Sequence, residues 1–119
     1  VGNASDDGPF VHCGFRPRWV LVKNVSAAGA GNSGTNWVIR DTARDDDNPV
    51  KKYLMADGSN GGYTFEGSNG NRFIDVLANG FKVRSGVGSG DHAYTPNING
   101  ETFIVAAFAE FPFKTARAR

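Results

Sequence analysis

One cysteine, Cys13, in 119 residues leaves no internal disulfide and no site built from several thiolates. No stretch approaches the ~20 consecutive apolar residues of a membrane-spanning helix. The opening Val1–Phe10 has neither the basic start nor the apolar run of about 7–15 residues that a signal peptide needs. Charge of one sign is also scarce: 13 Lys and Arg stand against 12 Asp and Glu, a net +1 spread along the chain. Nucleic acid would require a clustered basic face. Only the end is locally basic, at Lys114, Arg117 and Arg119, and three charges there read as a solvated terminus. The common signatures of catalysis are missing too, with no HExxH, CxxC, P-loop or GxSxG pattern.

What the chain does have is small polar residues. Gly, Ser and Asn account for 34 positions (16, 7 and 11), a composition that disfavours helix, since Gly costs about 1 kcal/mol against Ala inside one. It suits short strands joined by long loops. The length fits one domain over 1–119, expected to be a fragment or C-terminal domain of a longer protein because it begins at Val1 in Gly/Asn/Asp-rich sequence.

The apolar runs are short and strand-like. Phe10–Cys13 is stopped by Gly14 and Pro17, and Arg18–Val25 (RWVLVKNV) and Trp37–Asp41 (WVIRD) form two strong strands across the loop 27–36. Lys52–Ala56 follows, with a brief edge strand at Tyr63 and Phe65. Phe73–Leu77 and Phe81–Arg84 then flank Asn79-Gly80, a type I′ hairpin signal. Thr102–Ala109 (TFIVAAFA) is the longest apolar run, and its β-branched and aromatic residues favour a strand. The segments 18–25, 37–41 and 102–109 carry large apolar residues at both parities, so they are expected to be central. The fold expected is an all-β antiparallel β-sandwich. Trp19, Trp37, Phe103 and Phe108, each inside an apolar strand, are expected in its core.

Several tempting sites fail on context. Gly29–Gly34 (GAGNSG) spells GxGxxG, but a strand follows it where dinucleotide binding needs a helix. Asp45-Asp46-Asp47 could offer carboxylates to calcium, and Asp57, Ser59 and Gly61-Gly62 resemble the opening of a calcium loop whose twelfth position is Ser68, not Glu. A solvated acidic turn is the simpler reading, so no metal and no cofactor are expected. His12 and Cys13, adjacent on a strand, point to opposite faces. Asp91-His92 has Ser85 and Ser89 nearby but no nucleophile elbow, and Glu66, Asp91 and Glu101 carry no sign of a glycosidase pair. No enzyme is required.

The loops 57–71 and 85–100 are different. Both exceed the 2–5 residues of an ordinary hairpin connection, and Tyr63, Phe65, His92 and Tyr94 interrupt a background of Gly, Ser, Asn and Asp. Rigid aromatics among adaptable polar residues are what binding loops use. The candidate ligand contacts are therefore Tyr63, Phe65, His92 and Tyr94, with Asp91 and Asn97 as polar partners. The competing reading is that such aromatics merely pin a loop to the core.

Five blocks carry a family resemblance: GFRPRWVLVKN (14–24), NWVIRDTARD (36–45), NPVKKYLMA (48–56), IDVLANGFKVR (74–84) and ETFIVAAFAEFPFK (101–114). With the opening GNASDDGPFVHCGF they cover nearly the whole chain. The sequence resembles an uncharacterised domain that recurs, often near the C-terminus, in structural proteins of tailed bacteriophages, many of them marine. It departs from the common pattern at 27–36 and 57–71, where extra Gly and Asn lengthen the loops, and where IDVL replaces a more polar strand end. The resemblance implies a lectin-like β-sandwich (jelly roll) on a tail fibre or other virion appendage, with no catalytic residues to carry over. It implies a homotrimer whose partners are a host cell-surface glycan or protein receptor and other virion proteins; the charge distribution and short apolar runs separately give the expectation of no nucleic acid and no membrane insertion. The alternative is a decoration or assembly domain on head or tail with no ligand of its own.

Overall fold

A computed structural model describes residues 1–26, 36–59, 61–64, 73–84 and 97–110. Within them the chain is all-β, with eight strands: β1 (Phe10–His12), β2 (Pro17–Asn24), β3 (Trp37–Asp41), β4 (Lys52–Met55), β5 (Tyr63–Thr64), β6 (Phe73–Leu77), β7 (Gly80–Arg84) and β8 (Phe103–Ala109). They form two antiparallel sheets, ordered β1-β7-β6 and β5-β4-β3-β2-β8. Their inner faces share one core, which is the β-sandwich expected from the pattern of short apolar runs.

Period-two alternation builds that core. Val20 and Val22 of β2 point inward from the larger sheet, and Ile74, Val76, Phe81 and Val83 point inward from β6 and β7. Val50 joins them from the connection before β4, where its N–H donates to the Ile74 carbonyl at 2.8 Å. Burying a side chain of this size contributes about 1.5–3 kcal/mol, so this cluster is the main driving force. Tyr53 is buried beside it on β4, and Arg40 of β3 is buried with its guanidinium 5.5 Å from the Tyr53 ring centre. Arg40 Nη1 donates to the Val50 carbonyl at 3.1 Å. Desolvation pushes the guanidinium pKa down to about 10, opposed by the Tyr53 and Asp45 oxygens.

Three expectations need correction. Among the described residues the segment 102–109 is not central: β8 pairs with β2 and ends the larger sheet, so only β2 and β3 of the three segments have strands on both sides. A run with large residues at both parities marks an apolar segment without saying whether both of its faces and edges are covered. The aromatic core assignment fails for the same reason. Phe108 is 62% exposed and Trp37 is 37% exposed, Trp19 is half-buried, and of the four only Phe103 packs against the core cluster. Trp19 and Phe108 instead meet edge to face on the outer surface of the larger sheet, with ring centres 5.3 Å apart.

The hairpin at 73–84 forms, but with a different turn. Leu77 pairs with Gly80, so the loop residues are Ala78 and Asn79, and neither has the positive φ of a type I′ turn. Gly80 is needed for another reason. A Cβ there would lie 2.1 Å from the Val11 carbonyl oxygen, so glycine lets β1 close onto β7.

Candidate functional site

The register of one strand pair sets one flanking residue of each candidate loop side by side. Phe73 opens β6, Arg84 closes β7, and the two are direct partners across the hairpin. The first loop, 57–71, ends just before Phe73 and the second, 85–100, starts just after Arg84, so these ends lie on neighbouring strands. The second loop also returns to its origin. A Cβ built on Gly8 would approach both the Val83 carbonyl oxygen (2.7 Å) and Asn97 Nδ2 (2.8 Å), so positions 83 and 97 bracket one small residue.

Charged groups flank Gly8 and Val83. Lys82 Nζ and Arg84 Nη1 both meet Asp7 Oδ1, at 2.8 and 2.7 Å, and Arg84 Nε reaches Asp75 Oδ2 at 2.7 Å. The hydrogen bond and charge of Lys82, helped by Arg84, hold the Asp7 carboxyl below its ordinary range. The network fastens the N-terminal segment to the outer face of the small sheet, and as a surface network it contributes little stability per pair.

Of the six candidate contacts, two lie in the described residues. Tyr63 on β5 is half-buried and stacks on Tyr53, with ring centres 5.2 Å apart and planes 11° apart. That contact is the loop-pinning role weighed against binding, and it uses one face of the ring. Asn97 is fully buried. Its Oδ1 accepts from the Asn3 N–H at 2.8 Å, while its Nδ2 donates to Asn3 Oδ1 at 3.0 Å and to the Ser5 carbonyl at 2.8 Å. The side chain faces the N-terminal segment and has no surface to offer a ligand, so it serves the fold. A lone Asn in a polar loop carries no sequence mark of burial, and only its contact with residues more than ninety positions away reveals it. Phe65, Asp91, His92 and Tyr94 lie outside the described residues.

Residues 1–112 match the domain of unknown function DUF7483. The chain belongs to that family. No curated protein and no solved structure matches it.

This DUF7483 domain shows no group of three or more metal-ligating side chains among its described residues. Asp45, the first of the three consecutive aspartates, is occupied locally: Oδ2 accepts from the N–H groups of Lys51 (2.6 Å) and Lys52 (2.9 Å), closing its own loop ahead of β4. Burial pushes the Cys13 thiol up from its ordinary value, which disfavours the reactive thiolate. One feature escaped the sequence reading altogether. An apolar groove of about 460 Å³ opens where β1 and β8, the edges of the two sheets, face one another. It is lined by Phe10, Val11, His12, Phe81, Phe103 and Val105 among others. Alternation along each strand gave no sign of it, because a groove between two sheet edges belongs to their pairing order.

Proposed function

We propose that this DUF7483 domain is a non-catalytic module of a bacteriophage virion exterior, on a tail fibre or related appendage, that attaches to a host-surface glycan or protein receptor. The single observation that favours attachment is that one end of each long loop is anchored at the paired Phe73 and Arg84 of the small sheet. Loops held together by a rigid sandwich are the usual way such folds present a binding surface. The contacts proposed are Tyr63, Phe65, Asp91, His92 and Tyr94. Aromatic faces supply area at little entropic cost, and carboxylate and imidazole groups can hydrogen-bond hydroxyls. The phage setting rests on the sequence resemblance.

Host-cell adsorption by Tyr63→Ala/Tyr94→Ala and His92→Ala variants, with melting temperatures alongside, tests the reading. Adsorption is expected to be lost while His92→Ala keeps its melting temperature. Full adsorption by folded variants would leave the decoration and assembly reading in front. That second reading has its own observation, the apolar outer surface of the larger sheet around Trp19 and Phe108.

A further inference from the structure

β8 breaks the rules by which sheet edges are kept from pairing. Natural edges are shortened, charged, interrupted by proline or covered. Three edges of this sandwich comply. β1 and β5 are three and two residues long. The outer edge of β6 is covered by 48–50, where the Asn48 side-chain amide exchanges two hydrogen bonds of 2.9 Å with the Val76 backbone and Val50 bridges to Ile74. β8 is seven residues, Phe-Ile-Val-Ala-Ala-Phe-Ala, without a charge, a proline or a glycine. Among the described residues no strand pairs with the far side of Phe103–Ala109; the N-terminal segment occupies that side only ahead of the strand, where the Gly2 N–H donates to the Glu101 carbonyl at 2.9 Å.

Four of the eight exposed large hydrophobic residues in the described chain lie on β8 or on the facing β1. Ile104 is 49% exposed, Val105 39% and Phe108 62%, with Phe10 of the facing β1 edge at 42%. Val105, Phe103 and Phe10 also line the groove between the two edges.

We infer that β8 is a self-association strand, pairing antiparallel with β8 of a second copy of this chain about a two-fold axis at Ala106. The sequence of the strand supports this occupant. Ala106 is the middle residue of Phe103–Ala109, so a two-fold there sets Ala106 opposite Ala106, Ile104 opposite the second copy's Phe108, Val105 opposite its Ala107, and Phe103 opposite its Ala109. On the outer face a β-branched residue meets an aromatic one, a favourable cross-strand pair. On the inner face each large residue meets an alanine, so no two bulky groups collide. No like charges oppose one another. The axis runs perpendicular to the sheet, so both inner faces lie on the same side and the two grooves become neighbours. The exposed parts of Ile104, Val105, Phe108 and Phe10, with the strand backbone and Ala106, come to well under the ~800 Å² per partner of a standard interface. A contact of this size forms a reversible dimer, not an obligate one. The inference goes beyond the proposed function and does not depend on it. It also differs from the three-fold state implied by the sequence resemblance, and the isolated chain distinguishes the two.

The test is light scattering on the 119-residue chain from about 10 to 500 µM, with Ala106→Lys and Ala106→Glu. The wild type is expected to move from one chain to two as concentration rises. Each variant alone places like charges against each other at the axis and is expected to associate at least about 100-fold more weakly. An equimolar mixture of the two variants, Lys opposite Glu, is expected to recover the dimer, which only this register predicts. Because a charge on β8 could impair folding, wild-type hydrogen exchange gives a second reading. The alternate β8 amides that point away from β2 should gain protection with concentration, and β4 amides should not. A wild type that stays monomeric would overturn the pairing and leave the edge to residues 111–119 or to a different protein. A trimer would overturn the two-fold axis, and variants that dimerise as well as the wild type would overturn the register.

Discussion

Asn97→Ala separates a structural from a binding role at a residue the loop composition offered to a ligand. The wild-type side chain makes three hydrogen bonds to Asn3 and Ser5 from a fully buried position. Each contributes about 1 kcal/mol net, and truncation leaves the Asn3 N–H and Ser5 carbonyl short of partners, so the total loss is about 3 kcal/mol. For a domain of this size that corresponds to roughly 10 °C in melting temperature, and to roughly 2 M in the urea midpoint at an unchanged slope. Asn97→Asp should be worse at neutral pH, because it loses both donated bonds and buries a carboxylate. Amide exchange at Asn3 and Ala4, the latter bonded to the Asn97 carbonyl at 3.0 Å, should accelerate in both variants. An unfolding free energy within about 0.5 kcal/mol of the wild type would refute the reasoning. Reduced host adsorption at unchanged stability would return Asn97 to the binding surface.

Ile74→Ala, at a fully buried position in the core, is expected to cost about 2–5 kcal/mol in urea unfolding, whereas Phe108→Ala at micromolar concentration should cost under about 1 kcal/mol. Gly80→Ala should destabilise by on the order of 3 kcal/mol and release β1, seen as faster amide exchange at Val11 and His12, because its Cβ would collide with the Val11 carbonyl. The lowered Asp7 carboxyl makes its stabilising contribution above its unfolded value near pH ~4, and loses it as pH falls through the lower folded value. Wild type and Asp7→Asn should therefore differ in melting temperature at neutral pH and converge in strong acid; an equal difference at both would remove Asp7 from the acid response. Cys13 should react with a thiol reagent more slowly than an unstructured cysteine at pH 8, in line with its raised pKa.

The candidate site was legible in part. Loop length and the aromatic residues marked 57–71 and 85–100, and the hairpin signal placed their ends side by side once Phe73 and Arg84 paired. The burial of Asn97 against Asn3 and Ser5 was not legible, because the same polar side chain serves an exposed contact or a buried tie and composition does not distinguish them. Tyr63 is shown stacked on Tyr53, a contact that arises when β5 joins β4.

The amino-acid sequence by itself determined the class and the strands. Alternation at Val20/Val22, Ile74/Val76 and Phe81/Val83 is a local property, since each strand must present every second residue to one face, and Gly-, Ser- and Asn-rich joints leave no material for helix. Tertiary structure alone decided which strands are edges. The same apolar run can sit between two neighbours or beside one, so β8 read as central and stands at the rim with Phe108 in solvent. It also decided why Gly80 is glycine, where the N-terminal segment docks, and that β1 and β8 face each other across a groove. These depend on contacts between residues far apart in the chain, which short-range periodicity does not encode.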